Sequence, residues 1–226
     1  MKTRRSDFGV LTLALGIVFA VGLGASPASA DIIFSDFGPS LSYDCCTGYA
    51  VAGSGRWLGS SATDADEFTT AAGGAVAQID LAVGYFPTPD GDAPPSPYLF
   101  YASIWTDVNG LPGSQLARWD DLYSTTQFLF PSGVVTISGI SGLYLDSGQS
   151  YFMVLGPMDL TDTSWNVWNY NDQGVTGLAL SSADGGTTWN NNTTLGAFDI
   201  VVPEPASLLL LGTGLAVVVA AKRRRR

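Results

Sequence analysis

Between Asp31 and Val202 no run of ten or more residues combines a helical apolar period with helix-forming composition; glycine, serine, threonine, asparagine and aromatic residues dominate. A chain that cannot build an amphipathic helix has to bury its apolar side chains in sheets. The clearest strand signal is Ala75 to Val83, where Ala75, Ala77, Ile79, Leu81 and Val83 share one face and Gln78 and Asp80 the other. Period two over nine residues predicts a half-buried strand. Tyr98 to Thr106 is apolar on both faces, with Leu99, Tyr101 and Trp105 alternating against Phe100, Ala102 and Ile104. That pattern predicts a central strand between covering layers.

Shorter strands are expected at Glu67 to Thr70, Gln115 to Leu122, Val134 to Ser138, Ser150 to Leu155, Trp165 to Tyr170, Gly177 to Ser181 and Ala197 to Val201. Turn chemistry separates them at Asp107-Val108-Asn109-Gly110, Leu111-Pro112-Gly113 and Asp184-Gly185-Gly186. The segment from Pro87 to Pro97, with five prolines, and Asn190 to Thr194 read as loops. The predicted class is all-β, an antiparallel β-sandwich or jelly roll over residues 31–202, flanked by an N-terminal signal helix and a C-terminal apolar helix.

Charge narrows the partners. Of 20 acidic residues only Asp7 and Glu204 fall outside positions 31–202, whereas Arg56 and Arg118 are the only basic residues within them. Such a surface repels nucleic acid and anionic lipid. It also offers oxygen ligands to hard cations, so calcium is considered at Asp64, Asp66 and Glu67, or at Asp90 and Asp92. Neither run fits the helix-loop-helix calcium pattern, and no metal site is assigned. The chain has no histidine, which removes the usual general base and every Ser-His or Cys-His nucleophile pair. Nothing marks a carboxylate pair for glycoside hydrolysis, so no catalytic residue is assigned and no enzyme is expected.

The two ends read as addresses. Residues 1–30 have a basic start (Lys2, Arg4, Arg5), an apolar run from Phe8 to Leu23 and small residues leading to Ala28-Ser29-Ala30. That order predicts a secretory signal peptide cut by signal peptidase after Ala30. Residues 203–226 begin with Pro203-Glu204-Pro205, continue through the apolar run Ala206 to Ala221 and end in Lys222 and four arginines. The 16-residue apolar run would span about 24 Å as a helix, short of a bilayer core of about 30 Å. The two prolines keep the junction extended, and the cations hold the end at the cytoplasmic face.

This ordered trio resembles the PEP-CTERM sorting signal of Gram-negative bacteria. The resemblance implies recognition by exosortase, a membrane protease-transpeptidase that cuts near the motif. It also implies a transient inner-membrane anchor, then delivery to the cell surface or extracellular matrix, and a host that makes exopolysaccharide in a biofilm or floc.

The body resembles the choice-of-anchor extracellular β-sandwich domains, especially type R. The carrying stretches are Ser103-Ile104-Trp105-Thr106-Asp107 with Gly110 to Gly113, Tyr151 to Val154, and Trp165 to Gly174 with Asp184-Gly185-Gly186 and Trp189. This resemblance implies the sandwich and no catalytic residues.

Two features invite a function. Cys45 and Cys46 are adjacent and are the only cysteines, so they cannot staple distant parts of the chain. A strained eight-membered ring, free thiols and intermolecular bonds all remain open, the short separation of adjacent Cα atoms weighing against the ring. Trp165, Trp168 and Trp189, with Tyr170, stand amid Asn166, Asn169, Asn171 and Asp172. That mixture suits exopolysaccharide binding by stacking and hydrogen bonds, although Trp165 and Trp168 have opposite strand parity and core packing claims most such rings. The leading expectation is a structural or adhesive matrix protein; the second is a carbohydrate-binding module.

Overall fold

The computed structural model describes residues 30–55, 59–87, 98–130 and 133–203. Outside them lie the signal segment with Ala28, the proposed calcium ligands Asp90 and Asp92, and Glu204, Pro205 and the apolar run that follows. Both expected terminal helices therefore fall outside the described residues. Among those described, no helix is long and apolar enough to cross a membrane.

The described chain is all-β. Its strands are β1 Ala30–Ser35, β2 Gly48–Ala52, β3 Thr63–Thr69, β4 Gly74–Ala75, β5 Gln78–Tyr85, β6 Phe100–Asp107 and β7 Pro112–Leu122, then β8 Val134–Ser138, β9 Tyr144–Leu145, β10 Ser150–Pro157, β11 Trp165–Asn169, β12 Thr176–Ser182, β13 Asn190–Thr194 and β14 Phe198–Pro203. One six-stranded sheet runs β1-β14-β5-β11-β2, with β8 on the other edge of β5; a second runs β13-β12-β3-β10-β6-β7. A two-stranded ribbon joins β4 to β9. Ile32–Val202 forms one compact unit.

The two six-stranded sheets share one core, giving a β-sandwich-like body. Ile79, Leu81 and Val83 of β5, Trp168 of β11 and Phe198 and Ile200 of β14 meet Phe68 of β3, Tyr151, Met153 and Leu155 of β10, and Phe100, Ala102 and Ile104 of β6. Each set occupies alternate positions of its strand, the pleat sending every second side chain inward. Phe198 is a hub, its ring centroid 4.6 Å from Phe34, 5.5 Å from Phe68 and 5.7 Å from Trp168. Gly196 permits this packing: a Cβ there would lie 2.5 Å from the Trp168 indole.

Asn190 to Thr194, expected as a loop, is strand β13. It pairs with β12 through Thr194, Asn192, Asn191 and Asn190. As an edge strand it needs no buried face, so its sequence carries no alternation. Pro112, expected inside a turn, begins β7, a strand start on a sheet edge being a position that tolerates a residue without N–H. The turn before it spans Val108 to Leu111, which exchange N–H···O=C bonds of 2.9 and 3.3 Å. Its central residues Asn109 and Gly110 have φ of 59° and 77°, the left-handed pair that matches strand twist in a two-residue hairpin.

Candidate functional site

The β3 pleat decides the fate of the first calcium candidate. Phe68 points into the core, so Asp66 and Asp64 share its inner face while Glu67 lies on the opposite one. The three carboxylates do not converge on an ion, and no group of three metal-ligating side chains occurs among the described residues.

Asp64 and Asp66 are instead acids enclosed by the sheets, 2 % and 0 % exposed. Ser181 Oγ donates to Asp64 Oδ1 at 2.5 Å, and the Gly196 N–H donates to Asp66 Oδ2 at 2.6 Å. Asp64 Oδ2 and Asp66 Oδ1 have no partner. Burial pushes Asp64 up to about 8 and Asp66 well above the usual carboxylate range, the Asp64 and Asp36 charges adding to the latter. Asp36, buried beside β14, accepts the Phe198 N–H at 2.8 Å and is pushed up to about 7, chiefly by burial.

A second carboxyl pair sits where Asp80 of β5 faces Asp199 of β14 across the strands. Gln78 Nε2 donates to Asp80 Oδ2 at 2.7 Å and the Thr136 hydroxyl donates to Asp80 Oδ1. Burial and then the Asp80 charge push Asp199 up to about 7. No cation neutralises these acids among the described residues, because Arg118 is the one basic residue there and it is engaged by Asp120 at 2.6 Å. Protonation is what lets Asp36, Asp64, Asp66 and Asp199 stay dry.

The tryptophans do not form one platform. Trp168 is fully buried, its indole N–H donating to the Ala197 carbonyl at 3.2 Å; with no free ring face it cannot stack on a sugar, which corrects the expectation for this residue. Trp165 is half-buried and packs on Phe86 with ring centroids 5.4 Å apart. Trp189 belongs to the outer face of the second sheet, where it, Trp105, Leu178 and Met158 each pack against the buried cluster of Ala65, Tyr101, Phe152, Val154 and Leu180.

That outer face is the aromatic surface the fold assembles. The strand Phe100–Asp107 is apolar on both faces, yet only Phe100, Ala102 and Ile104 enter the core between the sheets. Tyr101 and Trp105 join the smaller outer cluster. Trp105 Nε1 donates to Ser103 Oγ at 2.8 Å, and the Arg118 guanidinium lies 3.7 Å over the Tyr101 ring. Trp105 and Trp189 are each half-buried. The signal for this face is the odd parity of Tyr101, Ser103 and Trp105, which the sequence alone assigns to a second covering layer.

Cys45 and Cys46 lie in a turn before β2 with no disulfide between them in this structure. Their sulfurs are 2.7 Å apart. Asp44 holds the turn, its carboxylate accepting the Cys46 N–H at 3.0 Å and the Thr47 hydroxyl at 2.5 Å.

The tail follows β14 without a spacer, Pro203 being the last residue of that strand. Residues 201–226 match the model of the PEP-CTERM protein-sorting motif. No curated protein and no solved structure matches the chain. The motif is the recognition signal for exosortase and supports export and sorting to the surface of a chain whose described body is all-β.

Proposed function

We propose that this chain is a non-enzymatic structural or adhesive component of an exopolysaccharide matrix. It is sorted by exosortase through Pro203, Glu204 and Pro205 after removal of the signal segment by signal peptidase. The observation that carries the reading is the sorting motif at residues 201–226, joined directly to a compact body rich in acids and free of histidine. The transient inner-membrane anchor, the Gram-negative host and the likeness to choice-of-anchor domains belong to this proposal. Fractionation tests it: the body is expected in the matrix fraction of wild-type cells and absent from the matrix of cells unable to make exopolysaccharide. Equal recovery from both would refute it.

A second reading is favoured by the outer aromatic face. Trp105 on β6 and Trp189 beside β13 stand four strand steps apart, about 19 Å at the usual spacing of about 4.8 Å. A polysaccharide of several sugars can lie across that distance, stacking at both ends. The reading supplies the mechanism of adhesion: rings for sugar faces, and the flanking polar side chains for hydroxyls. A glycan array on the full chain tests it directly, with retention lost in Trp105→Ala and Trp189→Ala variants that remain cooperatively folded.

A further inference from the structure

The turn carrying Cys45 and Cys46 is tied to a second, exposed loop. The Leu129 N–H donates to the Cys45 carbonyl at 3.2 Å, and the Gly133 N–H donates to the Tyr43 hydroxyl at 2.6 Å. The loop tip is apolar and open, with Leu129 56 % and Phe130 58 % exposed. Leu129 adopts a φ of 78°, a conformation that a branched aliphatic residue holds only when its surroundings impose it. The Cys45 carbonyl is one of those constraints.

We propose that Cys45 and Cys46 are a reversible redox site for external disulfides, and that closing the pair is felt at the Leu129–Phe130 loop tip through the Cys45 carbonyl. Three observations carry it: sulfurs in contact at 2.7 Å, an exposed Cys46 beside a half-buried Cys45, and an address outside the cytoplasm, where disulfides persist.

The chemistry is two exchanges. Cys46 gives up its proton, and its thiolate attacks one sulfur of an external disulfide R–S–S–R, forming Cys46–S–S–R and expelling R–S⁻, which takes up a proton. The Cys45 thiolate then attacks the Cys46 sulfur, expelling the second R–S⁻ and closing the Cys45–Cys46 bond. The protein loses two electrons and two protons, and the external disulfide leaves as two thiols. This division of labour fits the surroundings. The hydrogen bond with Cys46, then burial and the nearby Asp44 charge, hold the Cys45 thiol above its ordinary range, leaving the exposed Cys46 to meet the oxidant. Closing the eight-membered ring across adjacent Cα atoms, about 3.8 Å apart where disulfides usually need at least about 4.4 Å, must reorient the intervening peptide and with it the Cys45 carbonyl.

The test uses the reduced full chain and oxidised glutathione, quenched in acid, alkylated, digested and weighed. The expected wild-type peptide is lighter by two hydrogen atoms, unalkylated and free of glutathione, while Cys45→Ser accumulates a single glutathione on Cys46. Glutathione retained on the wild-type pair, a disulfide-linked dimer, or no reaction would each overturn the redox site. Hydrogen exchange at the Leu129 amide is expected to quicken several-fold on oxidation. Unchanged exchange there would overturn the coupling to the loop.

Discussion

Raising the pH should loosen this fold well before the ordinary alkaline limit. In the unfolded chain Asp36 and Asp64 titrate as ordinary aspartates, at the usual 3.8, whereas in the fold burial lifts them to about 7 and about 8. Between those limits the folded state holds protons that the unfolded state has released. The stabilisation is complete below about pH 4 and is lost as pH rises through 7 to 8. Each such group contributes a slope of about 1.4 kcal/mol per pH unit. From pH 5 to pH 7 the two together therefore cost on the order of 5 kcal/mol, a large fraction of a domain's stability. For a body of this size that is a fall in melting temperature of roughly 10–20 °C. Asp66, shifted in the same direction, steepens it. The assay is thermal unfolding followed by circular dichroism at constant ionic strength from pH 5 to pH 8. Asp64→Asn provides the control, since the amide oxygen can still accept from Ser181 and the amide group takes the place of the unpartnered Oδ2. This variant should lie close to wild type at pH 5 and above it at pH 8. A melting temperature that is flat or rising over this range, or an Asp64→Asn variant that loses stability equally at both pH values, would refute the reasoning.

Three further outcomes are expected. Gly196→Ala should destabilise by about 2 kcal/mol or more, because the new methyl meets the indole of Trp168 at 2.5 Å in a packed core; unfolding in urea measures it. Trp168→Ala should cost about 3–5 kcal/mol by leaving a cavity in the core, whereas Trp105→Ala, at a half-buried site, should cost clearly less while abolishing glycan retention. Replacing Asn109-Gly110 with Ala-Ala should weaken the β6–β7 hairpin by about 1–2 kcal/mol, since both positions need positive φ; hydrogen exchange at Thr106 and Leu111 would report it.

What was legible in the sequence was whatever obeys a local rule. The alternation Ile79, Leu81, Val83 is the inner face of β5 because a period of two has one structural meaning, and Asn109-Gly110 is a hairpin turn because few other residues accept its dihedrals. Asn190 to Thr194 was not legible: an edge strand held by backbone bonds needs no apolar pattern. The three tryptophans near the C-terminal end were legible only as a group close in sequence. Strand parity and long-range pairing send Trp168 inward, Trp165 to Phe86 and Trp189 to the outer face of the other sheet, the face that also carries Trp105. The buried acids were the largest surprise in physical terms. Asp64 and Asp66 look like surface ligands in a row of polar residues, and only the inward position of Phe68 shows that the same pleat drives them into the core. The sorting motif needed no fold, because its signal lies in the order of residues along the chain.

The central claim is exosortase-dependent delivery, and it is tested most directly by following an epitope placed in the loop at Gly185 through cell fractions. In wild-type cells the tagged body should leave the membrane and appear at the surface or in the matrix, shortened by the mass of its C-terminal segment. In Pro203→Ala/Glu204→Ala cells it should remain in the membrane at the longer mass. Surface delivery of the body with its tail intact, or normal shortening in the double variant, would contradict the account.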